Sequence, residues 1–282
     1  MQELDTTGER VSVLGTVPPG LEHYCPLLAR QLDATWPGHP PLHYALPAGR
    51  TAPYERVIAA RATTWTGVLL GGLTALRALG ARRVFVLLED HVPLWPCDVD
   101  LIAETLRIAE REDLPCVFFP KYDWRPPGGE GDLVTFGGRR LARMPRDFPC
   151  YNQCQPAIWD LEYYASLLAE AERRGIADPW RFERFSMPGQ PPHYVSEYRW
   201  PSRHCGYRRH GRVYLRALYS IRLPEGRALR DALLHERFPA LPGPLRGALG
   251  EGFRLWGRVH GIPGRFERRT HAAAASRPVP PR

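Results

Sequence analysis

Apolar positions along the chain follow two periods. Residues 11–17, Leu42–Leu46, 84–88 and 116–119 form apolar or β-branched runs without helical spacing, and each predicts a strand buried on both faces. Residues 21–35, 64–79, 98–112 and 160–174 instead carry apolar side chains three and four positions apart, the spacing of an amphipathic helix. Gly80 and Gly175 stand just past two of these helices, and Asp178 ahead of Pro179 reads as the N-cap of another. Strand, helix, strand, helix, strand in the first ninety residues predicts an α/β fold, with a mixed, mostly parallel sheet flanked by helices. Residues 52–62 read as a connection, 126–131 as a loop and Gly137-Gly138 as the turn of a hairpin. The last third shows no clear pattern, and the chain from about residue 272 onward reads as a disordered end.

Composition changes this picture in one respect. The 44% hydrophobic and 24% charged residues are ordinary globular values, but the net charge of +8 is unevenly spread. Residues 1–200 carry 21 basic and 25 acidic side chains, whereas residues 201–282 carry 17 and 5, so the two segments stand at −4 and +12. A core domain over 1–200 and a basic extension over 201–282 are therefore expected. Arg203, Arg208, Arg209 and Arg212 fit clamps on a diphosphate or an anionic acceptor, and the extension also fits peripheral contact with an anionic membrane. Nucleic acid is not the expected partner. No apolar run reaches the roughly 18 to 20 residues that span a bilayer, and the acidic start lacks a secretion signal, so a cytoplasmic protein is expected, with the inner membrane face as its other station. Six scattered cysteines read as reduced thiols.

The candidate chemistry begins where the strand at 84–88 runs into Glu89-Asp90-His91. Open α/β sheets bind ligands at the carboxyl ends of their strands, and two adjacent acids there call for a cation, most simply a divalent metal. A solvated loop is the alternative reading of the same residues.

Three segments together resemble a family of bacterial GT-A-type glycosyltransferase-like proteins: Trp65 with the Leu-rich helix after it and then Val86-Leu-Leu-Glu-Asp-His-Val-Pro-Leu-Trp-Pro-Cys-Asp98 with its two acids, Tyr151-Asn-Gln-Cys-Gln-Pro-Ala-Ile-Trp-Asp160 with a Gln-x-x-x-Trp pattern, and Asp178-Pro-Trp-Arg-Phe-Glu183 with a Pro-Trp-x-x-Glu pattern. The resemblance covers about residues 11–200. It implies a GT-A-like (Rossmann-like) fold and transfer of a sugar from a nucleotide-sugar donor to an acceptor hydroxyl. It further implies Mn²⁺ or Mg²⁺ held by Asp90 and Glu89, with Glu183 as the base of an inverting reaction. His91 departs from the usual Asp-x-Asp pattern and reads as a softer ligand, a phosphate contact or a loop residue. Thr16 and Pro18 fall where this fold holds the nucleoside, with Arg203 and Arg208 as further donor contacts. Gln155, Trp159, Asp160 and Trp180 are candidates for the acceptor, although both tryptophans also read as core residues and Glu183 also complements a helix dipole.

No P-loop, dinucleotide-binding fingerprint, nucleophile elbow or zincin motif is present. Two rival readings stay open. One is a sugar nucleotidyltransferase, which Thr16-Val-Pro-Pro-Gly20 disfavours for want of a Gly-rich basic loop; the other is a non-catalytic protein of the same fold that binds an anionic polymer or membrane.

Overall fold

A computed structural model describes residues 10–121, 133–202, 208–209, 212–213, 218, 220–221 and 223–259. The expected loop at 126–131, Arg203 and the expected disordered end lie outside them. The chain divides into two compact units, Met1–Gly206 and Tyr207–Arg282.

The first unit runs β1 (Val11–Thr16), α1 (Cys25–Thr35), β2 (Leu42–Leu46), β3 (Val57–Ala59), α2 (Trp65–Ala78), β4 (Arg83–Leu88), α3 (Val99–Arg111), β5 (Cys116–Phe118), β6 (Leu133–Phe136), β7 (Arg139–Arg143), β8 (Ala157–Asp160), α4 (Leu161–Arg173), α5 (Pro179–Arg184) and β9 (Tyr194–Ser196). Its strands form one sheet in the order β3-β2-β1-β4-β8-β5-β9-β7-β6. Strands β3, β2, β1 and β4 are parallel, β8 runs against both β4 and β5, and β7 runs against β9 and β6. Seven of the nine described strands thus point the same way, giving the mixed, mostly parallel sheet that was expected.

Helix starts follow the sequence signals closely. Thr64, Asp98, Asp160 and Asp178 cap α2, α3, α4 and α5, each accepting a hydrogen bond from the backbone N–H three residues on. The hairpin at Gly137-Gly138 forms as β6 and β7, and both glycines take the positive φ that so tight a turn requires. Two strands depart from the sequence pattern. β3 lies inside the expected connection at 52–62, and its three residues are too few to show a period; β8 occupies residues just ahead of α4 for which the sequence pattern predicts no strand.

On one side of the sheet α2 and α4 cover Leu14, Val84, Val86, Phe118, Ala157 and Trp159, all buried. On the other, Phe85, Trp36 and Trp200 pack with ring centroids 4.9 to 5.7 Å apart. α2 approaches its neighbours through glycines: a Cβ on Gly67 would stand 2.6 Å from both Ala62 Cβ and the capping Thr64 Oγ1.

In the second unit, β10 (Arg208–Arg209) and β11 (Arg212–Val213) pair antiparallel and precede α6 (Arg227–Arg237) and α7 (Gly243–Val259). Leu229, Leu233 and Leu234 bury the inner face of α6, and buried Arg230 reaches the Ile221 carbonyl and lies 3.7 Å from Glu251. α7 falls in the last third, where the sequence shows no clear pattern. Among the described residues no helix is long and apolar enough to cross a membrane, and Cys25, Cys97, Cys116, Cys150 and Cys154 are not in disulfides.

Because Gly67 has no room for a methyl group, Gly67→Ala is expected to destabilise the first unit by about 1–3 kcal/mol. Urea unfolding of the variant against wild type measures this, and an unchanged midpoint would contradict the packing described.

Candidate active site

Strand direction decides which residues meet. β1, β4 and β5 all end at one edge of the sheet, placing Thr16, Glu89-Asp90-His91 and Lys121 there. β8 runs the other way, so its preceding residues, Cys154 and Gln155, arrive at that same edge. Thr16 is buried and in register with Leu88, directly before Glu89, while Pro18 is exposed on the loop that follows.

Asp90 is the centre of the cluster. Glu89, Asp90 and His91 form a short 3-10 turn after β4, which keeps the partly buried acids at the strand tip. Asp90 Oδ1 lies 3.2 Å from His91 Nε2, and Oδ2 lies 3.8 Å from Lys121 Nζ. The Lys121 and His91 side chains are buried. Buried Trp200 clamps this arrangement, donating its indole N–H to the His91 carbonyl at 2.6 Å and its backbone N–H to the Pro120 carbonyl at 2.8 Å. The two segments that carry Asp90 and Lys121 are therefore pinned by one residue.

Glu183 reaches the cluster from α5. Its Oε1 accepts the Cys154 backbone N–H at 3.0 Å, which ties the helix to the segment entering β8. Burial raises its carboxyl above the ordinary range; the Cys154 N–H, Lys121 and Arg184 oppose the rise, and the negative charge of Asp90 adds to it. Burial likewise drives the Cys154 thiol well up, aided by Glu183 and Asp90 and opposed by Lys121. Asp90, Lys121, Cys154 and Glu183 thus share one electrostatic environment although they come from four separate stretches of chain.

A buried polar network holds the 151–155 segment. Asn152 donates to the Phe185 carbonyl and accepts from Gln190, while Tyr151 Oη accepts from the His193 backbone N–H at 3.0 Å. His193 Nδ1 faces the Tyr151 carbonyl, so it carries the proton, and Nε2 accepts from Tyr163 Oη at 2.9 Å. Burial lowers the His193 pKa to about 4.

Not every expected site residue joins this cluster. Trp159 is 1% exposed and stacks on Tyr164, and Asp160 pairs with Arg83 at the opposite edge, where it caps α4. The reversed direction of β8 is the reason, because it sends the end of this strand away from the tips of its neighbours. Trp180 is 74% exposed and lies three residues before Glu183, hence on the same side of α5. Gln155 lies at the active edge, and its side-chain oxygen is buried with no hydrogen-bond partner among the described residues. Arg208 belongs to β10 in the second unit.

Two features lie beyond the sequence reading. Lys121 follows a buried strand just as Glu89-Asp90 does, and that repeated strand-then-charge pattern was its available signal. Glu22 accepts from Gly20 N–H at 2.9 Å and from Arg50 Nε at 2.5 Å, tying the loop after β1 to the loop after β2; Arg50 holds its carboxyl below the usual range. No local pattern announces a contact between loops 28 residues apart.

The donor set suits a resident divalent ion poorly. Among the described residues no three His, Cys, Asp or Glu side chains converge as a metal site, and the Asp90 carboxylate already faces His91 and an ammonium. Two unit charges of like sign 4 Å apart repel by about 4 kcal/mol near a protein surface, and a divalent ion on Asp90 would double that against Lys121.

Neither a family model nor a curated protein matches the sequence. Solved structures do show likeness. Mannose-1-phosphate geranyltransferase from Thermus thermophilus is 16% identical over 68% of this chain and 75% of its own, with a TM-score of 0.43. 4-diphosphocytidyl-2C-methyl-D-erythritolsynthase from Anaerococcus prevotii is 13% identical over 68% and 90%, at 0.36, and UDP-glucose pyrophosphorylase from Leishmania major is 12% identical over 61% and 53%, at 0.31. At these TM-scores the likeness carries no functional weight, and the chemistry has to be read from the chain's own residues.

The His193 network generates a stability prediction. A histidine whose folded pKa lies below its ordinary 6.5 contributes stability that is present above that value and is lost as pH falls through about 4. Denaturant unfolding from pH 7 to pH 4 should show a progressive loss that a His193→Gln variant, itself less stable at pH 7, shows to a smaller degree. Equal pH slopes in the two proteins would contradict the buried neutral imidazole.

Proposed function

We propose that this chain is a nucleotide-sugar-dependent glycosyltransferase whose reaction takes place at the strand tips around Asp90 and Glu183. The observation that carries the reading is the common electrostatic environment of these two carboxyls, 93 positions apart, with one of them shifted towards useful basicity by burial. A base with a raised pKa takes a proton more readily, and a hydroxyl attacking an anomeric carbon needs one.

In the proposed reaction Glu183 accepts the proton of the acceptor hydroxyl while the hydroxyl oxygen bonds to the anomeric carbon. The bond from that carbon to the diphosphate oxygen breaks, and its electron pair leaves with the nucleoside diphosphate. Asp90 sets the charge at the tip of β4 that holds Lys121 and His91 in place. Thr16, Pro18 and the loop carrying Arg50 border the donor side, and Gln155 and Trp180 border the acceptor side. An indole face beside the base suits a sugar ring, and the unpartnered Gln155 oxygen suits a hydroxyl donor.

Incubation with a panel of nucleotide sugars should release nucleoside diphosphate. Glu183→Gln is expected to lower that rate by about 10²-fold or more, the usual loss when a general base is removed. The wild-type rate should rise with pH through a carboxylate pKa above 4.5, because the raised group must lose its proton to act, and the Gln variant should lack that limb. Full turnover by both Glu183→Gln and Asp90→Asn would refute the assignment. Pyrophosphate release from a nucleoside triphosphate and a sugar phosphate would point instead to a nucleotidyltransferase.

A further inference from the structure

We propose that Lys121 is the resident cation of this site, and that its ammonium takes the place on the leaving diphosphate that a divalent ion would otherwise hold. The inference rests on the glycosyltransferase reading and goes beyond it, since the motifs that suggested the reaction implied a metal instead.

Composition sets Lys121 apart. Of the 38 basic Lys and Arg side chains it is the only lysine, in a chain that otherwise uses arginine at every such position. It is also buried, and it stands at the tip of β5, beside the tip of β4 across the inserted strand β8. A lysine ammonium is a compact point charge, whereas a guanidinium needs a broad planar opening for its fork of donors. A buried position 3.8 Å from the Asp90 carboxylate favours the former.

The geometry places a positive charge beside the acid at the strand tip. The ammonium lies 3.8 Å from Asp90 Oδ2, within ion-pair range. Its charge also reaches Glu183 and Cys154 on the other side of the cluster. Trp200 fixes the strand that carries it through Pro120 and fixes the turn that carries Asp90 through His91, so the cation is pre-positioned. As the bond between the anomeric carbon and the diphosphate breaks, the departing oxygen takes the electron pair and gains negative charge. A fixed positive group facing that oxygen stabilises the change without moving any proton.

Isothermal calorimetry with UDP, GDP and dTDP, each in EDTA and in Mn²⁺, tests this on the full chain. Wild type is expected to bind at least one of them equally well in EDTA and in Mn²⁺. Lys121→Met should weaken that binding by about tenfold or more, as expected for loss of a hydrogen bond to a charged group, and Lys121→Arg should recover part of it. Circular dichroism establishes that each variant is folded, and if Lys121→Met does not fold, the wild-type EDTA titration and Lys121→Arg decide the matter. Binding by wild type only in Mn²⁺, or unchanged binding by folded Lys121→Met, overturns the proposal and leaves the glycosyltransferase reading standing. No binding of any nucleoside diphosphate in either condition removes that reading and, with it, the role of Lys121.

Discussion

Two ionised carboxylates drawn partly out of water repel each other, and a positive charge within reach of both offsets that repulsion. Asp90, Glu183 and Lys121 satisfy that constraint at one edge of the sheet, and much of the architecture serves it. Insertion of the reversed strand β8 between β4 and β5 is the decisive step. It spaces the tips that carry Asp90 and Lys121 and brings Cys154 to the same edge, where its backbone N–H donates to Glu183. A parallel strand in that position would have brought Asp160 to the edge in place of Cys154.

Rigid supports flank the cluster. Trp200, wholly buried among Phe85, Trp36 and Phe119, links the segments before Lys121 and after Asp90 by two hydrogen bonds. On the other side the network through Asn152, Gln190, Tyr163 and His193 fixes the segment that binds Glu183. Both supports lie inside the first unit, and both include buried aromatic rings that carry a polar group, Trp200 in one and His193 in the other. Such groups pack like core residues and still fix direction through one hydrogen bond.

What the sequence disclosed follows from the range of each signal. Caps and periods are local, and Thr64, Asp98, Asp160 and Asp178 start helices in the structure just as their spacing predicts. The uninterrupted apolar run before Glu89 marked a central buried strand, and β4 lies in the middle of the sheet. Strand direction is not local. Ala157–Asp160 runs straight into α4 with no turn to mark its end, so nothing in its four residues reveals that Asp160 faces away from Asp90. Lys121 became significant only through partners 31 and 62 positions away, and the Glu22 to Arg50 contact arises in the same manner from two loops that the parallel strands β1 and β2 bring together. In the last third, α6 is short and heavily charged, and its stripe of Leu229, Leu233 and Leu234 is buried against both α7 and β11.

The most direct test of this account is a crystal structure of the chain with a bound nucleoside diphosphate. The account predicts the terminal phosphate within about 3 Å of Lys121 Nζ, the reach of a charge-assisted hydrogen bond, with Glu183 opening onto the space beyond that phosphate. A nucleotide seated away from the tips of β1, β4 and β5, or a phosphate that leaves Lys121 turned wholly onto Asp90, would contradict it.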